Sequence, residues 1–127
     1  MSSAVLDSSA VLALLFDEPG GDKVRTALPG ALLGTVNLAE VLTKLVERGM
    51  EVDRARRAVD GLHASLVPFD DRQAAAVARL RTATRSAGLS FGDRACLALA
   101  IERDVPALTA DRSWIGLPTG ARVDVIR

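Results

Sequence analysis

Aromatic residues are almost missing from this 127-residue chain: one Trp, three Phe and no Tyr, 3% in all. So few rings cannot build the extended stacking surface that grips single-stranded nucleic acid. Histidine and cysteine are equally scarce, with only His63 and Cys96. A lone cysteine makes no intrachain disulfide and no thiolate zinc site. A lone histidine removes most serine-hydrolase, zincin and histidine-based nuclease schemes. His63 therefore reads as a surface or structural residue. Cys96 lies within Ala95–Ile101, seven consecutive apolar residues, and reads as core. Net charge is missing too: 16 basic and 16 acidic residues cancel, leaving no global field to attract nucleic acid. The longest apolar runs are about seven residues, far short of a membrane span. The N-terminus shows no basic segment followed by an apolar run and a cleavage site. The expectation is a soluble cytoplasmic protein that does not engage a membrane.

What the chain has is aliphatic. Hydrophobic residues make up 49% of it, so a single domain over residues 1–127 can build a core from Ala, Val, Leu and Ile. Strands are predicted at Ala4–Leu6, Leu32–Val36, Ser65–Phe69, Ala107–Thr109 and Val123–Ile126. Helices are predicted at Ala10–Phe16, Asp22–Leu28, about Leu38 to Gly49, from near Asp53 to Leu62, Asp71–Ala87, and Gly92 to about Arg103. Pro19-Gly20-Gly21, Pro29-Gly30, Gly49 and Gly88 punctuate them. Alternating strand and helix argue for an α/β layer fold with a mainly parallel sheet. Bases are few early on, with only Lys23 and Arg25 before residue 41. Residues 44–85 carry nine bases against six acids, either as solvated helix faces or as a shallow basic surface.

Four acids stand out: Asp7 in AVLDSSA, Glu40 in GTVNLAEV, Asp93 in LSFGDRACLALA and Asp111 in ALTADRSW. Asp7 and Asp111 follow strands, while Glu40 and Asp93 open helices. Open parallel sheets bind ligands outside the carboxyl ends of their strands. Carboxylates gathered there repel one another and need protons or a cation. A hard divalent ion with oxygen ligands meets that need, and Mg²⁺ in particular takes few carboxylates and retains waters and phosphate oxygens. The pattern points to metal-assisted phosphodiester chemistry.

Each acid also has an ordinary structural use. Asp7 can cap the helix that follows it. Asn37 and Glu40 have capping-box spacing, and Glu40 lies opposite its helix's apolar stripe, as an exposed cap would. Asp93 suits the positive end of a helix dipole. Asp111 can cap a turn before Trp114.

The segments AVLDSSAVLALLFDEPG, TVNLAEVLTKL and LSFGDRACLALA…VPALTADRSW, in this order, resemble PIN-domain ribonucleases, specifically VapC-type toxins of toxin–antitoxin (VapBC) pairs. The resemblance runs over nearly the whole chain, except residues 49–66, which match no family motif. It implies a PIN-like, Rossmann-like α/β/α sandwich around a central, mainly parallel sheet. The family's acidic quartet falls on Asp7, Glu40, Asp93 and Asp111, as catalytic and metal-binding residues for Mg²⁺ or Mn²⁺. Asp7 and Asp93 are then the principal ligands, with Glu40 and Asp111 acting through water or a second ion. Ser8 and Thr109 match the small hydroxyl residues near the first and last acids. Arg94 and Trp114 match common positions without a catalytic role.

The function implied is endoribonuclease activity as the toxin of such a pair, with an RNA substrate, a VapB-type antitoxin and a homodimer. The alternative is a catalytically inert PIN-fold module acting through its antitoxin and dimer surface. A response-regulator receiver would need an acid pair near strand one and a late lysine, but only Lys23 and Lys44 are present. A haloacid-dehalogenase-type phosphatase would need Asp-x-Asp, and the chain has Asp7-Ser8-Ser9.

Overall fold

The computed structural model describes residues 2–127. Five strands form one sheet: β1 (Ala4–Leu6), β2 (Ala31–Gly34), β3 (Ser65–Val67), β4 (Ala107–Thr109) and β5 (Val123–Val125). Their order is β3-β2-β1-β4-β5, and every neighbouring pair is parallel. The helices are α1 (Ser8–Leu15), α2 (Gly21–Ala27), α3 (Thr35–Glu47), α4 (Val52–Asp60), α5 (Asp71–Thr84) and α6 (Phe91–Arg103). The predicted α/β sandwich is the observed one. β1 is central, and the connections run outward from it in opposite directions, toward β2 and β3 on one side and β4 and β5 on the other. Its carboxyl end is thus the topological switch point.

Both faces of the sheet are covered, so the inner strands are apolar at successive positions rather than alternating. Ala4, Leu6, Leu33 and Leu108 face the layer of α1, α2, α3 and α4. Val5, Leu32 and Ala107 face α5 and α6, together with Leu97, Leu99 and the fully buried Trp114. Among the described residues no helix is long and apolar enough to cross a membrane.

Several boundaries differ from the sequence reading. β2 ends at Gly34, and Thr35 and Val36, expected in the strand, open α3. Gly34 is extended (φ −69°, ψ 149°) and serves as the N-cap. The Thr35 hydroxyl accepts the Phe69 amide at 3.0 Å, tying the loop after β3 to this turn. Propensity favours strand for this β-branched pair, but tertiary contacts decide otherwise. β3 and β5 stop short, at Val67 and Val125. α1 begins at Ser8 rather than Ala10. The last turn of the predicted 71–87 helix tightens to a 3₁₀ turn at Arg85–Ala87. Residues 49–66 contain α4 and β3, the edge strand. Nor do the arginines of residues 44–85 form one basic surface: α4 and α5 pack on opposite faces of the sheet.

Candidate active site

The strand-to-helix turn at the carboxyl end of β1 places Asp7. Its extended backbone caps α1, and Oδ1 accepts from the Ala10 amide at 2.8 Å. Ser9 Oγ donates to the same oxygen at 2.7 Å, and Thr109 Oγ1 donates to Oδ2 at 2.6 Å. Each hydroxyl also accepts an amide beyond β4. Thr109 takes Asp111 N at 3.0 Å, and Ser9 takes Ala110 N at 2.9 Å. The switch point is thereby laced together through Asp7, which is only 4% exposed.

Burial raises the Asp7 pKa from 3.8 to about 6. The three hydrogen bonds oppose that rise, and the nearby negative charge of Asp93 adds to it. A carboxylate so placed gains from a proton or a cation.

Asp93 sits in the first turn of α6. It forms a capping box with Ser90: Ser90 Oγ accepts the Asp93 amide at 3.1 Å, and Asp93 Oδ2 accepts the Ser90 amide at 2.9 Å. Glu40, one turn into α3, is half-buried rather than an exposed cap. The capping box proposed for Asn37 and Glu40 does not form, because α3 begins two residues before Asn37. Instead the fully buried Asn37 side chain donates from Nδ2 to Glu40 Oε1 at 2.8 Å and to Gly92 O at 3.1 Å. The Glu40 carboxylate lies directly on Gly92.

Asp111 stands apart. Its side chain is exposed and caps the 3₁₀ turn Arg112–Trp114, accepting the Ser113 amide at 2.9 Å. Only its backbone joins the network around Asp7. Cys96, buried in α6, senses the other three. Burial pushes its thiol pKa well up, and Asp7, Asp93 and Glu40 all add to the rise. Asp7, Asp93 and Glu40 thus all lie within electrostatic reach of Cys96, whereas the Asp111 carboxylate turns to its own 3₁₀ turn. Among the described residues no three acidic, His or Cys side chains stand close enough to enclose a metal. The donor set fits Mg²⁺ in one respect: all donors are oxygen, and that ion is commonly held by one or two carboxylates with water completing its shell.

A cleft of ≈ 910 Å³ opens beside Glu40, between α1 and α3. Leu12 and Val36 give it apolar walls, and Ser8, Ser9 and Phe91 line its rim. Asp7 and Asp93 are not part of its lining. His63 is exposed and holds positive φ (61°) in the turn after α4, so it serves that turn. Arg94 Nη1 donates to the Val77 carbonyl at 3.1 Å, fastening α6 to α5.

Sequence reasoning missed three residues here. The hydroxyl that bonds Asp7 is that of Ser9, two residues on, where the resemblance pointed only to the adjacent Ser8. Asn37 has capping-box spacing to Glu40, but its amide donates to the Glu40 carboxylate from inside the helix. Gly92 reads in the sequence only as a helix opener, with nothing to mark its contact with Glu40.

The family model of the PIN domain matches residues 4–118. No curated protein sequence matches the chain. A toxin–antitoxin complex from Klebsiella pneumoniae superimposes with TM-score 0.78 at 17% identity, over 98% of both chains. DNA-bound VapBC from Salmonella typhimurium gives 0.77 at 16%, over 100% of both. VapBC-5 from Mycobacterium tuberculosis gives 0.61 at 27%, over 100% of this chain and 99% of that one.

Proposed function

Because this chain belongs to the PIN-domain family, we propose that it is a single-domain, Mg²⁺-dependent endoribonuclease (Mn²⁺ serving as well), the toxin of a VapBC-type pair. The observation that carries the reading is Asp7. A buried carboxylate at the switch point, raised to about 6 by burial with the Asp93 charge adding to the rise, supports a cation there. Asp7 and Asp93 would hold the ion directly, with Glu40 and Asp111 acting through water. A bound divalent ion lowers the pKa of a coordinated water and neutralises charge on the scissile phosphate.

The chain's own residues do the rest. Ser9 and Thr109 hold both Asp7 oxygens in place, and the capping box holds Asp93. No histidine stands at the site to serve as the general base that a cyclic-phosphate route needs. Hydrolysis to 5′-phosphate and 3′-hydroxyl ends is the corresponding outcome. The apolar cleft suits a segment of a VapB-type antitoxin lying against Glu40, and a cytoplasmic homodimer completes the reading.

The second reading is an inert PIN-fold module. One observation favours it: Asp93 and Asp111 already serve as caps, and no three-carboxylate cluster forms among the described residues. Purified protein incubated with mixed RNA separates the two. Cleavage that needs Mg²⁺, is stopped by chelation and is absent from Asp7→Asn supports the nuclease. An intact RNA pool at every metal concentration supports the inert module.

A further inference from the structure

Gly92 precedes Asp93 in the first turn of α6 and is buried. A methyl group built on its Cα would overlap Glu40 Oε2, Oε1 and Cδ. The space a side chain would fill is therefore occupied by the Glu40 carboxylate. Asn37 holds it there. Its two amide hydrogens reach Glu40 Oε1 (2.8 Å) and Gly92 O (3.1 Å), so one side chain binds both halves of the contact. Asn37 is 1% exposed, and neither partner can drift without leaving a buried polar group unpaired.

We propose that Asn37 and Gly92 are positioning residues of the ion site, a latch that seats the Glu40 carboxylate against the turn carrying Asp93. The proposal rests on the metal-site reading above. Without the latch, Glu40 has the cleft beside it to swing into. Repulsion from Asp7 and Asp93 drives it outward. Residues that orient metal-binding groups in this way typically change affinity by about 10- to 100-fold when replaced.

Gly92→Ala is an unusual test because structure and function separate in it. The overlapping atoms are the far end of a flexible side chain, and Gly92 needs no positive φ. Alanine also favours helix over glycine. Gly92→Ala is expected to change the melting temperature by only a few degrees, alanine's helix gain offsetting the Asn37 bond lost as Glu40 moves, while weakening Mn²⁺ binding, read by electron paramagnetic resonance, about tenfold or more. Asn37→Leu, similar in volume without the donors, is expected to weaken Mn²⁺ in the same direction.

In Glu40→Ala the seat is empty, so adding Gly92→Ala should change Mn²⁺ affinity no further. Parent-like Mn²⁺ affinity in Gly92→Ala overturns the latch, as does a full additional loss in the double variant. A parent protein that binds no Mn²⁺ overturns the metal-site reading itself, and the latch with it.

Discussion

Thr109 Oγ1 donates a 2.6 Å hydrogen bond to Asp7 Oδ2 across 102 positions of sequence. It joins the end of β4 to the end of β1, and both groups are buried. The bond favours the ionised carboxylate and so works against the burial that raises its pKa.

Thr109→Val should therefore act in a pH-dependent way. The shape is kept, but the charged form of Asp7 loses a donor. Above pH 7, where Asp7 is ionised, the apo protein should lose about 1–3 kcal/mol. Near pH 4.5 the neutral carboxyl should make the loss smaller. Urea denaturation at both pH values checks this; an equal loss at both would mean that the hydroxyl does not serve the carboxylate.

Asp7 itself should dominate the pH dependence of stability in the metal-free protein. Its folded pKa, about 6, lies above the unfolded value of 3.8. Between these values the folded state binds more protons, so stability falls as pH rises. The contribution is complete below pH 4 and lost above pH 6, with a ceiling of roughly 3 kcal/mol. Asp7→Asn keeps an N-cap residue and removes the titration. Its melting temperature should change little from pH 4 to pH 7 where the parent's falls. A parallel fall in both proteins would assign the effect to another group.

An ion bound as proposed at Asp7 would have to displace that proton. Apparent Mg²⁺ affinity should rise by up to about tenfold per pH unit below pH 6 and level off above pH 7. Calorimetric titration at pH 5, 6, 7 and 8 provides the check. An affinity flat across that range would place the ion away from Asp7.

Cys96 offers a probe of the core beneath the site. It is fully buried and its thiol is held neutral by burial and by Asp7, Asp93 and Glu40. A thiol reagent at pH 8 should modify it only at the rate of global or local opening, and rapidly in denaturant. Stoichiometric reaction within seconds in native buffer would contradict this burial.

Much of the architecture was legible because strands covered on both faces are short apolar runs, and helices end at Gly and Pro. The acids' places at strand ends followed from that same order. What stayed hidden depended on geometry across the sheet. Thr35 and Val36 look like strand residues, yet the Phe69 amide bonds to Thr35 and the helix starts there. Ser8 and Ser9 are indistinguishable as letters, and only the turn after β1 decides which hydroxyl faces Asp7. Gly92 carries no side chain to signal that Glu40 occupies its space. Asp111 followed a strand as expected, but its carboxylate turns to the Ser113 amide.

The central claim, an RNA-cutting site built on these acids, is tested most directly in cells. RNA ends bearing 5′-monophosphate would be mapped with the parent chain and with Asp93→Asn, whose side chain can still accept from the Ser90 amide. New ends at one or a few positions, found only with the parent and at equal protein levels, are the expected result. Equally abundant ends with Asp93→Asn, or no new ends in any host that the parent chain arrests, would contradict it.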